Sequence, residues 1–523
     1  MALCDISQVA FCNPVVKSFE SASEHLFAWF RGARDGLTGH MQRRYSDQGV
    51  DRQLGFSKFV CGVRLRSIWN MFAFRTSSAI GVLALASFIF AAPAANGAPG
   101  GGTCSVEDPN DIEYLVLWGL VPASQPDTVR GIDRFAAKIG TRGDGRTRQL
   151  GFGALIPVWL KNEQDIVQLI REAFYIAKQT DVAVHFNVDD HIAWEQRPDL
   201  WNWYDPARPG YNPDNKNNVE WYDWEGTPNK RRYLTPVGSP SQSPHMCYNS
   251  PIVRQEIIRI VSRIVGPALQ EEIGKLRQEN KEYLFAGITV GQELDFDDYS
   301  SVPLLSQAPP IPSHANPLQT QGRKTLLEAA TLMEEDHAPH VRLGYCSLTN
   351  AGYSRNHSPS DVTKALADVI QTFIEFWDQQ FVEAGIPCSR IYTHVPAPLP
   401  QDGKNVAPIP VVFNRYARAG WTTYPIDTLA KGFQPLYDEL AKHGDPDWGG
   451  VEANAILANP DAAIKPSWET YLAWHYNHGA KLVGINNGAS DESLMVYLSN
   501  SAFGDEAIAA YRKFLEGREL IEK

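Results

Sequence analysis

"GALIPVWLKNEQDIVQLIREAFYIAKQTDVAVHFNVDD", Gly153 to Asp190, carries the pattern from which the fold is read. Its apolar opening, Gly153 to Trp159, reads as a strand. Asn162 then stands where a helix N-cap is wanted, and Ile166, Leu169, Ile170, Phe174 and Ile176 line one broad apolar stripe of the helix that follows. A second apolar run, Val182 to Val188, follows directly. Strand, helix, strand with so long a connection makes the two strands parallel neighbours.

Outward from this unit the alternation repeats. A first strand at Tyr114–Leu120 precedes it, with a helix over Asp127–Gly140 between. Downstream come a long helix opening at Pro251, a fourth strand ending in Gln292-Glu293, and a helix with a Ser/Asp start and a Gly385 stop. The fifth to eighth strands fall at Ile391–Val395, Gly420–Pro425, Gly449–Ala455 and Lys481–Asn487. Helices are expected over Asp427–His443, over Pro466–Ala480 and at the C-terminal end. Val341–Leu348 and Ile409–Phe413 are strand-like too, but no helix separates them from their neighbours, so they are expected as excursions. Eight strands alternating with helices predict an α/β fold, a closed (β/α)8 TIM barrel with long βα loops after strands 3 and 4. A doubly wound open sheet is the other arrangement. It lacks a Gly-x-Gly-x-x-Gly after the first strand and any phosphate loop.

Composition sets the class. Of 523 residues, 43% are hydrophobic and 21% charged, as in a globular protein. The formal net charge is −12, although residues 1–70 carry nine Lys/Arg against six Asp/Glu. The rest of the chain is therefore more acidic still and repels phosphate backbones, which argues against a nucleic-acid partner.

Residues 71–98 look like a secretory signal peptide: Arg75, an apolar run from Ala79 to Ala92, and an A-x-A pattern at Ala92-Pro93-Ala94. The run is short of the roughly 20 residues that span a bilayer. On this reading residues 1–70 are a mis-assigned or disordered extension, 99–110 a linker and 111–523 the barrel. The product would be exported (periplasmic or extracellular) and without a stable membrane anchor; a cytoplasmic tail on a signal anchor is the alternative. Four cysteines remain after residue 98 (Cys104, Cys247, Cys346, Cys388), enough for two disulfides in any of three pairings.

In such a barrel the chemistry sits where strands end and βα loops begin. The third strand runs into His185, Asn187, Asp190 and His191, the fourth into Gln292 and Glu293, and the fifth into His394. The sixth ends at Tyr424, the seventh at Glu452 and Asn454, and the eighth at Asn486. Two glutamates thus end strands that face each other across the mouth. A glutamate ending strand four and another ending strand seven resembles the clan A retaining glycoside hydrolases, which include the family-42 β-galactosidase-like enzymes. The resemblance covers Glu113 to Glu519. It implies Glu293 as general acid/base, Glu452 as nucleophile and Tyr424 as the group orienting that nucleophile. The chemistry needs both carboxyls, one protonated to release the leaving oxygen and one ionised to trap the oxocarbenium ion. Clan A enzymes usually carry Asn before the acid/base; here Gln292 stands in its place.

Asn187, Asp190, His191, Gln292, His394 and Asn454 are expected to bind sugar hydroxyls, with no cofactor. The long segment Trp194 to Tyr248, opening "WEQRPDLWNWYDPARPGYNPDNKNNVEWYDWEG", is expected as an ordered lid, with Trp194, Trp201 and Trp203 offering indole faces to an oligosaccharide or polysaccharide. Two other readings stand beside a glycoside hydrolase. One is a non-catalytic carbohydrate-binding barrel. The other is a metal-dependent polysaccharide-modifying enzyme using His185, Asp190 and His191.

Overall fold

A computed structural model describes residues 111–118, 125–231, 243–296, 342–396, 409–425, 429, 432–455, 466–486 and 504–522. Eight strands form one parallel sheet: β1 (Glu113–Leu117), β2 (Arg148–Pro157), β3 (Ala183–Asp189), β4 (Phe285–Val290), β5 (Ile391–Thr393), β6 (Ala419–Thr422), β7 (Trp448–Ala453) and β8 (Ala480–Ile485). Their order is β5-β4-β3-β2-β1-β8-β7-β6. The open edges meet through parallel bridges Tyr392 to Arg418 and Val395 to Trp421, with Thr393 N donating to Arg418 O at 3.1 Å and Thr422 N to Val395 O at 3.0 Å. The sheet is a (β/α)8 barrel, closed at a seam between its two shortest strands.

The period-two alternation of each strand sorts side chains between two cores. Tyr114, Val116, Ala183, Ala286, Tyr392, Val451 and Leu482 fill the barrel interior. Leu115, Leu117, Val184, Phe186, Val188 and Ile288 point outward to a larger layer under the helices. Those helices include α1 (Gln125–Ile139), α2 (Glu163–Thr180), α3 (Pro251–Ile260), α4 (Gly266–Gln278), α5 (Val362–Glu383), α6 (Gln434–Lys442), α7 (Trp468–Tyr476) and α8 (Asp505–Leu515). Asn162 caps α2 by accepting from Gln164 N at 3.3 Å, and Ser250 and Asp361 cap α3 and α5 in the same manner. A π-turn, Val261–Val265, joins α3 to α4.

Several details differ from the sequence-based expectation, among them the helix expected from Asp427, which begins at Gln434. β2 begins at Arg148, five residues early, because Asp144 Oδ1 accepts from the N–H groups of Arg146 and Thr147 at 2.8 Å each and turns the chain straight into the strand. The two strand-like excursions stay outside the sheet but are helical, at Tyr345–Asn350 and Ile409–Val412. Of the cysteines, Cys388 is disulfide-bonded, whereas Cys247 and Cys346 are buried free thiols. The proposed extension, signal segment and linker, Cys104, Asn487 and most of the strand-four loop lie outside the described residues. No described helix is long and apolar enough to cross a membrane.

Asp378 of α5 is fully buried and its Oδ2 accepts from Asn414 Nδ2 at 2.9 Å. Burial pushes its carboxyl up to about 8. A folded value above the unfolded one gives stability that is complete below about pH 4 and lost as pH rises through the folded value. Asp378→Asn, neutral at every pH, should melt a few degrees above wild type at pH 8.5 and lose that advantage at pH 5, read by differential scanning fluorimetry. The same offset at both pH values would rule out a buried acid at this position.

Candidate active site at the C-terminal rim

Glu452 lies within β7, beside a shift in the β7–β8 register between Gly450 and Ala453. Irregularities of this kind re-aim side chains at barrel rims. Glu293 lies three residues beyond β4, with φ of +47°, a left-handed conformation unusual for a side chain and found where local structure forces it. The two carboxylates and the His394 ring each bring a ligand-type atom within 4.8 Å of the others. Both glutamates are half-buried at the mouth, and His394 is buried beneath them.

The end of β6 holds both acids. Thr422 Oγ1 donates to Glu293 Oε1 at 2.7 Å. Two residues on, and so on the same side of the extended chain, Tyr424 donates its phenol to Glu452 Oε1. Asn486, just past β8, donates to the same Oε1 at 2.8 Å and to the Tyr424 oxygen at 3.1 Å. Thr423 faces the other way. Its N–H donates to the Glu452 carbonyl at 2.8 Å, while its hydroxyl meets His475 Nε2 at 2.9 Å and its carbonyl accepts from Tyr471 at 2.9 Å.

Burial, together with the Glu452 and Glu293 charges, raises the Tyr424 phenol well above its usual range, so it remains a donor. Burial lowers His394, against the pull of Glu452. Thr422 gives its only proton to Glu293, so its oxygen accepts from His394 Nε2–H across 3.0 Å. That nitrogen also lies 3.7 Å from Glu452 Oε2, and burial disfavours a second proton on the ring.

The third-strand residues divide. Asn187 donates to Gln292 Oε1 at 2.6 Å, and buried Asp190 accepts from Gln292 N at 3.1 Å and lies 3.2 Å from His191 Nδ1. These contacts place Asn187, His191 and Gln292 at the mouth and Asp190 behind them. His185 is not with Asp190 and His191, contrary to the metal reading. It points into the barrel, 2.7 Å from Thr289 Oγ1 and against the rings of Trp118 and Tyr392, and burial lowers it to about 3. The set that does converge is Asp189, Asp190 and His191. There Asp189 Oδ1 already accepts from the N–H groups of His191 and Ile192 at 2.7 Å each, the arrangement of a loop cap.

Trp194 and Trp201 do not present indole faces to the mouth. Both are buried, and their indole N–H groups donate to the carbonyls of Pro244 and Trp194 at 3.0 and 2.9 Å. Trp203 is half-buried, pinned to Asn229 O at 3.1 Å. The asparagines of this excursion also turn inward: Asn215 and Asn218 are buried and donate to the Asp199 and Leu200 carbonyls at 3.0 and 2.8 Å. Asn454 is buried and donates to Asn486 O, which places it behind Glu452.

Sequence reasoning missed Thr422 and Trp118. Trp118 is half-buried just past β1, and room for its indole is made by glycines: a Cβ on Gly153 would lie 2.0 Å from the ring and one on Gly484 2.8 Å from Nε1. The signal was present in the two strand glycines, but their partner cannot be seen without the barrel.

No family model matches the sequence, and no curated protein matches it. Among solved structures the chain is similar to an apo β-glucosidase (9% identity, TM-score 0.31, covering 69% of this chain and 77% of that one). It is also similar to an inactive mutant of the GH20 exo-β-N-acetylglucosaminidase of Vibrio harveyi (9%, TM-score 0.34, covering 78% of this chain and 56% of that one). The same enzyme in complex with N-acetylglucosamine gives 10%, TM-score 0.31, 77% and 54%. The chain thus spans just over half the length of the Vibrio harveyi chains. Nothing in these likenesses points to family 42.

The scaffold behind the rim can be tested at Gly450, where a Cβ would lie 2.6 Å from His475 Nε2 and 3.0 Å from Thr423 Oγ1. Gly450→Ala must push the ring off Thr423, at a cost of about 1–3 kcal/mol. Thermal melting should show a loss of several degrees; an unchanged midpoint would mean the ring does not pack there.

Proposed function

We propose that this chain is an exported glycoside hydrolase of the retaining type, with Glu293 as acid/base and Glu452 as nucleophile. The observation that carries the reading is the meeting of the two carboxylates, with oxygens within 4.8 Å of each other at the C-terminal end of a (β/α)8 barrel. Retaining enzymes hold their carboxyls about 5–5.5 Å apart, whereas inversion needs the wider gap that admits water. Export is supported by the signal-like segment around Ala79–Ala92 alone.

On this reading Glu452 keeps Oε1 fixed by Tyr424 and Asn486 and presents Oε2 to the anomeric carbon. Glu293, held by Thr422, gives its proton to the glycosidic oxygen as the bond to that carbon breaks, and the sugar is left esterified to Glu452. Water then enters, loses a proton to Glu293 and attacks the same carbon, which frees Glu452 and returns the original anomer. The clamp from Asn187 fixes the amide of Gln292 where related enzymes carry Asn, and it suits a hydroxyl next to the reacting carbon. Asn187, His191 and Trp118 supply further sugar contacts; from behind, Asp190 holds Gln292 and His191, His394 holds Thr422, and Asn454 holds Asn486.

A panel of α- and β-linked aryl glycosides tests this. Glu293→Gln and Glu452→Gln should each lose at least about a hundredfold in rate on whichever substrate the wild type cleaves. With azide, Glu452→Ala should yield a glycosyl azide of inverted configuration and Glu293→Ala one of retained configuration. Hydrolysis that survives both substitutions would defeat the assignment, and binding without hydrolysis across the panel would leave a carbohydrate-binding barrel.

A further inference from the structure

Two of the thiols lie together behind the rim, far apart in sequence. Cys247 precedes α3, and Cys346 sits in the short helix Tyr345–Asn350. Both are fully buried. The same piece of backbone holds both: Cys247 N donates to Asn218 O at 2.9 Å, and Cys346 Sγ donates to the neighbouring carbonyl of Asn217 at 3.6 Å. One amide touches both sulfurs, since Asn350 Nδ2 lies 3.5 Å from Cys247 Sγ and 3.9 Å from Cys346 Sγ. Ser347 Oγ approaches Cys247 Sγ to 3.6 Å. Glu220 takes the other side of Ser347, accepting from its hydroxyl and its N–H. Among the described residues, Glu220 and the two sulfurs do not converge as a set of metal ligands.

We infer that Cys247 and Cys346 form a redox-closable clasp, a dithiol that takes a small disulfide as oxidant and ties the excursion after β3 to the segment leading into α5. The inference assumes nothing about the reaction at the rim. In the first step a Cys247 thiolate attacks one sulfur of the oxidant R–S–S–R and expels RS⁻, which leaves a mixed disulfide. Cys346, as thiolate, then attacks Cys247 Sγ and expels the second RS⁻. Two thiol protons go to the released thiolates, and the two electrons reside in two molecules of RSH. The neighbouring Cys247 thiol, and burial, push the Cys346 thiol well above its usual range, and both sulfurs are sealed from solvent, so both steps wait on local opening.

The placement gives the clasp something to hold. On either side of Cys247, His245 Nε2 and Tyr248 OH both meet the carbonyl of Asp295, at 3.1 and 3.0 Å. Asp295 follows Glu293 by two residues. Closing the clasp fixes the same short stretch that anchors this turn, and it closes a loop of about a hundred residues, which most constrains the unfolded chain.

The test uses the full chain incubated natively with oxidised or reduced glutathione, then denatured, alkylated with N-ethylmaleimide, digested and mapped by mass spectrometry. The oxidised sample should contain a Cys247–Cys346 linked peptide and lack the maleimide on both residues. Its melting midpoint should exceed that of the reduced sample by about 5 °C, a gap absent in Cys346→Ser. Should that variant fail to fold, the wild-type peptide map decides alone. Maleimide on both cysteines, glutathione left standing on Cys247, or a link from either to Cys388 would overturn the clasp.

Discussion

Both rim glutamates hang on the last turn of one very short strand. Thr422 grips Glu293 and Tyr424 grips Glu452, and the residue between them is anchored outward to His475 and Tyr471. This follows from the period of two along an extended chain: positions i and i+2 share a face, and i+1 takes the opposite one. Any slip of β6 by one residue would turn Thr423 to the mouth and withdraw both hydroxyls together. The seam beside β6 is also where the sheet closes, by two bridges to β5. Closure of the barrel and alignment of the acids are therefore one event.

The electrostatics follow. Two carboxylates this close repel if both are ionised. Tyr424 and Asn486 both donate to Glu452 Oε1, and Thr422 donates to Glu293 Oε1. Burial disfavours a positive charge on His394 beneath them.

Most of the frame was legible in the sequence, because strand and helix periods are local. The βαβ unit at Gly153–Asp190, the cap at Asn162, the helix start at Pro251 and the order of eight strands all follow from neighbouring residues. The two glutamates were legible for the same reason: each ends an apolar run. What failed was of another kind. Trp194 and Trp201, read as sugar platforms, are buried among loop carbonyls, and the asparagines around them bond backbone instead of facing solvent. Composition shows that a long excursion has aromatic and amide groups but not which way they point. An excursion that lacks a ladder of its own needs such groups to satisfy its buried carbonyls.

That inward turn has a consequence for specificity. With Trp194 and Trp201 committed to holding the excursion, the barrel end keeps a strand-borne indole in Trp118, half-buried past β1 where Gly153 and Gly484 leave room for it. An indole on a strand end moves far less than one on a loop, because the sheet fixes its backbone on both sides. The excursion in turn sends His245 and Tyr248 to one carbonyl, that of Asp295, and so steadies the turn in which Glu293 holds a left-handed backbone. The tryptophan-rich segment acts on the site through the peptide it braces, and the rim residues that can touch a ligand stand on the barrel itself.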